Sequence, residues 1–431
     1  MLFDLWQRTL ADRRDEVALR TLGSKEKVTF SCLQQRLDTL PPLNRGEVHL
    51  VGTAEGPLNF ILQTLRAWRD GAVLFPVESP ETLRLKVNGV GPEIAHLKIT
   101  SGTTGEPRIV CFRGSQLVAD AENIRASMKL NPAWPNLAVV SVAHSYGFSN
   151  LILPLLLFGH PLTVASNPLP GTVRQALEKG PVTLPAVPAM WRAWHQAGVL
   201  KSARIALAIS AGAPLPLEME QEVFDECGVK IHNFLGSSEC GGIAFDSTLA
   251  PRADANFAGF VMSGVRVSLT EEQCILVEGP SVAEGYWRKE GEEGESNLGQ
   301  GRFVASDLAE LQGDAVFLRG RLTDAINVAG RKLNPTEVED VLLTCEGVKH
   351  CVVFGIPSAD PTRCEEAVAC IHPAPGLTSE RVAQWLEGRL PSWQMPKHFW
   401  FCRELEPCAR GKISRRAWKE IYLNRIVGQV M

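Results

Sequence analysis

Between Ile99 and Val110 the chain reads I-T-S-G-T-T-G-E-P-R-I-V, so Thr100, Ser101, Thr103 and Thr104 are interleaved with Gly102 and Gly105 between two apolar segments. The glycines allow a tight turn, and the hydroxyls and backbone N–H groups can then face one small volume. Such a loop suits phosphate oxygens, and an ordinary Ser/Thr/Gly turn between two strands is the competing reading. The stretch has no G-K-[ST], so it is not a Walker A loop.

Further acidic and basic groups could complete a nucleotide site. At Gly236-Ser237-Ser238-Glu239 an apolar run ends in a glycine turn with hydroxyls and a carboxylate, suited to a phosphate oxygen and a magnesium ion. A solvated turn with a capping serine explains the same letters. Phe303-Val304-Ala305-Ser306-Asp307 delivers an acid at the end of a strand, either to accept from both hydroxyls of a ribose or to cap the strand. Gly320-Arg321-Leu322-Thr323-Asp324 adds a cation beside that acid and a second acid at a composition break, and an exposed salt bridge would account for the pair. Gly411-Lys412-Ile413-Ser414-Arg415 places Lys412 on a glycine hinge, although most lysines are solvated surface.

The elements that must position these groups alternate. Val48–Val51 and Gly71–Pro76 read as short buried strands around a helix over Pro57–Trp68, which has proline in its first turn. Strand-like runs at 137–142, 161–165, 205–210 and 229–233 alternate with helical patterns at 115–128 and 214–227. This rhythm predicts an α/β fold: a large N-terminal layered domain over residues 1–321 with mostly parallel sheets, and a small C-terminal α+β domain over 322–431. In the latter, Asn334-Pro335-Thr336-Glu337 reads as a helix start, with Asn334 as cap, Glu337 reaching back and Gly347 as the stop. Strands at 348–354 and 366–371 follow, then a helix over Ser379–Leu390 capped by Thr378.

With 431 residues, 45% hydrophobic and 21% charged, the chain can bury a large core in more than one domain. A net charge of −4 leaves no electrostatic footprint for nucleic acid. The eleven cysteines are scattered without a C-x-x-C pair, which suits a reduced cytoplasmic setting and argues against a zinc site. The longest apolar run, Leu151–Phe158, is short and contains Pro154, so no membrane span is expected. The acidic, glycine-rich stretch at 288–300 reads as a solvated surface loop.

Taken in order, these motifs resemble the adenylate-forming superfamily, which includes acyl-CoA and aryl-CoA synthetases, and the resemblance covers nearly the whole chain. Similar enzymes carry S-G-T-T-G-x-P-K, Y-G-x-T-E, T-G-D, G-R-x-x-D, G-x-K-x-x-P-x-E-[IV]-E and G-K-x-x-R. This chain supplies Ser101–Arg108, Leu235–Glu239, Ala305–Asp307, Arg321 with Asp324, Gly330–Glu339 and a final Lys412. His144 in A-H-S-Y-G-F and the link from Leu276–Pro280 to Gly285-Tyr286-Trp287 also match. Arg108 replaces the usual Lys, Leu235 the Tyr that stacks on adenine (with Phe234 as a neighbouring aromatic), Ser238 a Thr, and Ala305-Ser306 a Thr-Gly. The segment before the phosphate loop is also shorter than in most relatives.

The resemblance implies ATP and Mg2+ as cofactors, a small carboxylic acid as substrate, and coenzyme A or the phosphopantetheine arm of an acyl carrier protein as thiol acceptor. Thr100–Gly105 and Arg108 would hold the ATP phosphates, Leu235 the adenine, Ser238 the α-phosphate, Glu239 with Thr103 the magnesium, and Asp307 with Arg321 the ribose. Lys412 would bridge carboxylate and phosphate, Asp324 would be the hinge of a domain rotation, and Gly330 and Arg331 would line the thiol tunnel. His144 would gate an acyl pocket formed by Ser145, Phe148, Ser149, Ala211, Gly212, Ala213, Gly236 and Cys240, with Ser145, Tyr146 or Ser149 available to a ring hydroxyl. No acid follows His144 where amino-acid-activating relatives carry Asp, so the implied substrate is an aryl or medium acyl acid rather than an amino acid. A non-catalytic adenylate-binding relative, and an adenylating enzyme with a non-thiol acceptor, are the competing readings.

Overall fold

Short strands and the helices between them build the first of two compact units in the computed structural model. The structure describes residues 1–24, 27–78, 87, 89–100, 108–165, 167–202, 204–288, 296–328, 331–358, 365–407 and 413–430. One unit comprises Met1–Thr270, Leu276–Ala305 and Leu311–Phe317; the other comprises Glu271–Ile275, Ser306–Glu310 and Leu318–Met431.

In the first unit a large sheet runs, from one edge, Lys27–Thr29, Val17–Thr21, Leu162–Val164, Asn136–Ala138, Val182–Ala186, Ile205–Ser210, Ile231–Ser237, Gly241–Phe245 and Phe257–Val261. From Val17–Thr21 to Ile231–Ser237 all pairings are parallel; beyond Gly241 they are antiparallel. The switch follows from connection length, since a parallel return needs a crossover, whereas three residues join Ser237 to Gly241 and permit only a hairpin. Trp191 and Trp194 fill the core beside the parallel strands, edge to face with centroids 5.3 Å apart. A second sheet runs Gly285–Tyr286, Arg108–Arg113, Ile94–Thr100, Val73–Pro76 and Val48–Val51.

The second unit holds a three-stranded sheet of Val348–Pro357, Glu365–Pro373 and His398–Phe401. The helices Pro335–Leu343 and Ser379–Leu386 pack on one face and Arg415–Val430 on the other. Asn334 caps the first of these by accepting from the Thr336 N–H, with Pro335 at the first helical position. Glu337 does not reach back: its carboxylate accepts from Gln394 Nε2 at 3.0 Å, a distant donor outcompeting the local one. That helix ends at Leu343, before Gly347, and the Thr378-capped helix ends at Leu386 rather than Leu390. No described helix is long and apolar enough to cross a membrane, and each of the nine described cysteines is free.

Candidate active site

The hairpin of Ile94–Thr100 and Arg108–Arg113 fixes both ends of the phosphate-type loop, with Thr100 opposite Arg108. Ser101, Gly102, Thr103, Thr104 and Gly105 lie outside the described residues, as do Gly330 and Lys412. Thr100 is buried, and its Oγ1 has no hydrogen-bond partner among the described residues. The neighbouring strand Gly285–Tyr286 pairs with Val110 and Cys111, which sets the Tyr286 ring under the exposed Arg108 guanidinium at 4.2 Å. Arg in place of Lys therefore gains a stacking partner that an ammonium would use less well.

Glu239 sits at the tip of the next hairpin, between Ser237 and Gly241, and is 8% exposed. Its Oε2 accepts from Ser237 Oγ and its Oε1 from Tyr286 Oη at 3.2 Å. Burial, followed by the Glu239 charge, raises the Tyr286 phenol above its ordinary pKa and keeps it a donor. Ser238 Oγ lies 2.9 Å from Ser145 Oγ, so the turn is joined directly to the segment proposed for the acyl group.

That segment is only partly open. His144 is exposed at the start of the one-turn helix Ser145–Gly147, which runs into a π-helical turn over Phe148–Ile152. Phe148 faces the core, 4.3 Å from the His96 ring, and Ser149 is buried and donates to Asp120 at 2.7 Å. Cys240 is fully buried, and desolvation raises its thiol pKa well above the ordinary value. These three residues support the wall and do not present side chains to an open pocket. Tyr146 is spent in a similar way, its hydroxyl donating to Ala186 and Ile209 carbonyls at 3.4 Å. Gly212 is exposed, Ala213 half-buried, Ala211 buried and Gly236 exposed. Leu235 is half-buried, whereas Phe234 packs into the core beside Tyr146; strand alternation sends the two to opposite faces, so Phe234 cannot replace the missing aromatic.

In the second unit Arg321 Nε donates to Asp307 Oδ1 at 2.9 Å. Arg415, from the final G-K-x-x-R, donates to Asp324, to both oxygens of Glu339 at 2.8 Å, and to the Val353 carbonyl at 2.7 Å. Asp324, expected as a hinge, is thus one corner of an ion cluster. Arg331 stacks over Trp393, 5.5 Å from its centroid.

The sequence profile described as AMP-binding enzyme matches residues 63–287, and the profile of its C-terminal domain matches residues 337–412. The chain belongs to the AMP-binding enzyme family. A feruloyl-CoA synthase of Amycolatopsis sp is 31% identical over 346 residues, spanning 75% of this chain and 69% of that protein. A 2-succinylbenzoate–CoA ligase of Enterococcus faecalis is 25% identical over 339 residues, spanning 75% and 68%. ATP-bound MatB from Rhodopseudomonas palustris shares the fold, with TM-score 0.82 and 19% identity over 98% of this chain and 99% of that one.

For this AMP-binding enzyme the donor set fits a magnesium ion held with substrate phosphates. Among the described residues no three His, Cys, Asp or Glu side chains gather as a metal cage, but magnesium commonly takes one or two carboxylates and completes its shell with phosphate and water. Glu239 is a buried carboxylate whose side-chain hydrogen-bond partners are neutral hydroxyls, and no cation among the described residues forms an ion pair with it. Tyr286 as a partner of Glu239 escapes sequence reasoning, because 47 residues separate them; the pairing of Tyr286 with Val110 and the bond from the Ala283 N–H to the Glu239 carbonyl at 2.9 Å bring the two segments together.

Proposed function

We propose that this AMP-binding enzyme is an acid–thiol ligase that activates an aryl or medium acyl carboxylic acid with ATP and transfers the acyl group to coenzyme A. The observation that carries the reading is 31% identity to a feruloyl-CoA synthase across three quarters of the chain. A carboxylate oxygen of the acid attacks the α-phosphorus, and the bond to the bridging oxygen breaks with departure of pyrophosphate. The thiol, losing its proton, then attacks the acyl carbon of the adenylate, and the carbon–oxygen bond to AMP breaks. In the first step two anions must meet while phosphorus gains negative charge, so preorganised positive charge supplies most of the acceleration.

Residues Thr100–Gly105 and Arg108 hold the phosphates in this reading, Leu235 lies against adenine, and Asp307 with Arg321 holds the ribose. Ser238 donates to the α-phosphate, and Lys412 bridges it and the acid. A magnesium ion on Glu239 and Thr103 would neutralise phosphate charge. His144 and Ser145, with Ala211, Gly212, Ala213 and Gly236, border the acid. The absence of an acidic residue after His144 favours acids without an α-ammonium. The core 1–321 carries the nucleotide and the lid 322–431 carries Lys412, rotating about Asp324 to bring Gly330 and Arg331 to the thiol for the second step. An acyl carrier protein is the alternative acceptor, and similarity to a feruloyl-CoA synthase and a 2-succinylbenzoate–CoA ligase favours coenzyme A.

The test is acid-dependent pyrophosphate exchange over a panel of hydroxycinnamic, benzoic and fatty acids. Exchange with at least one acid is expected, and none with any acid, in protein that binds ATP, removes the reading. Lys412→Ala should abolish exchange yet still transfer a supplied acyl-adenylate to coenzyme A; equal loss of both half-reactions contradicts its role.

A further inference from the structure

The strand that leads into the phosphate loop is built unlike a central strand. Ile94–Thr100 lies between Val73–Pro76 and Arg108–Arg113, where both faces are normally apolar. Its alternate residues His96, Lys98 and Thr100 share one face and are 0%, 4% and 8% exposed. Burying an ammonium costs several kcal/mol unless it is compensated, so packing alone does not favour this row. The compensation is a chain of side chains. Lys98 Nζ lies over the Phe112 ring at 4.4 Å and donates to Ser149 Oγ at 3.5 Å, and Ser149 donates to Asp120 Oδ2 at 2.7 Å. The other oxygen, Asp120 Oδ1, accepts the Gly242 backbone N–H at 3.1 Å.

The far end of this chain grips the hairpin that carries Glu239. Gly241 has φ +75°, and a Cβ there would collide with the Asp120 carboxylate. Asp120 is itself 1% exposed, on the helix Gly114–Ser127 that follows the phosphate hairpin. One carboxylate therefore fills the space left by Gly241, holds the next peptide, and is tied through Ser149 and Lys98 to the strand entering the phosphate loop.

The geometry points to Lys98, Ser149 and Asp120 as a positioning unit that fixes the Glu239 hairpin relative to the strand Ile94–Thr100 and so sets the affinity of the divalent cation taken up with ATP. This deepens the ligase reading and rests on it only for Glu239 as the metal-holding acid. None of the three touches substrate in this account; each acts through the Glu239 hairpin. Residue identity at 98, 120, 149 and 241 has to be compatible as a set, because each occupies space or bonding capacity left by another.

The experiment measures Mn2+ bound in the presence of ATP by electron paramagnetic resonance, which needs no turnover. Asp120→Ala should weaken Mn2+ about tenfold or more, and Ser149→Ala, which only removes the bridging hydroxyl, about threefold. Asp120→Asn combined with Lys98→Met keeps an acceptor for Gly242 without a stranded charge and should return affinity to within about threefold of the parent. Val223→Ala, a cavity in the helix Leu217–Cys227, which makes none of the bonds of the Lys98–Ser149–Asp120 chain, controls for lost stability and should leave Mn2+ affinity unchanged. Parental affinity in both Asp120→Ala and Ser149→Ala, or the same loss in Val223→Ala at equal thermal destabilisation, overturns the assignment. If Asp120→Ala does not fold, Ser149→Ala and the double variant decide alone. Parental protein that binds Mn2+ with ATP but shows no acid-dependent exchange would sink the ligase reading and leave this one standing.

Discussion

Two glutamates, Glu239 buried in the first unit and Glu339 half-buried in the second, receive opposite treatment. Glu339 in the second unit is met by Arg415 through two N–H···O contacts of 2.8 Å, and by the Val353 N–H. Glu239 in the first unit is met by Ser237 and Tyr286, both neutral. A guanidinium spends the carboxylate's charge on holding segments together. Hydroxyl donors orient the carboxylate and leave its charge for something that arrives later. Burial alone does not separate a structural acid from a functional one; the charge state of its partners does.

The comparison breaks first at Glu239. Glu239→Gln keeps the shape and removes the charge, and it should cut acid-dependent pyrophosphate exchange by about 10³-fold while the urea midpoint of unfolding stays near that of the parent. Exchange at the parental rate would mean that the hydroxyl-bound carboxylate is structural after all. Next comes the Arg415 cluster. Arg415→Met strands Glu339 and Asp324, and should cost about 3 kcal/mol of unfolding free energy in urea titrations; an unchanged midpoint would place the two glutamates in the same class.

The smallest effect is a pH dependence that runs in opposite directions in the two units. Burial, with help from Arg13 and Arg125, lowers His160 from the ordinary histidine value to about 4. The folded chain then resists a proton that the unfolded chain takes up, so stability is present above the unfolded value near 6.5 and falls as pH drops from there toward 4. Desolvation raises Glu339 despite Arg415, so its contribution has the opposite sign, with the burial penalty lifting as pH falls through its folded value. In urea titrations His160→Asn should remove about 2 kcal/mol of the loss between pH 7 and pH 5, and Glu339→Gln should leave that acid limb in place. A limb that survives His160→Asn contradicts the assignment.

What was legible follows the range of the interaction. Asn334 and Pro335 announce their helix start because a cap is satisfied within two residues. Glu337 misleads, because Gln394 competes from 57 residues away. Phe148, Ser149 and Cys240 are expected from the motifs to line an acyl pocket, yet the π-helical turn sends Phe148 into the core, Asp120 takes the Ser149 hydroxyl, and Cys240 is fully buried. The letters before Ser101 read as an apolar segment, and the polar row of His96, Lys98 and Thr100 on one of its faces emerges only in the folded strand. Its meaning needed Asp120, because a lysine in a strand says nothing about what receives it.

The sequence alone determined the order of the motifs, the α/β alternation and the local caps, because these depend on neighbours along the chain. Only the tertiary structure decided which acids keep a free charge. That outcome is set by strand register: Tyr286 beside Val110 brings a phenol to Glu239, and the cluster at Arg415 brings a cation to Glu339. A carboxylate's chemistry belongs to its partners, and partners far apart in sequence are chosen by folding.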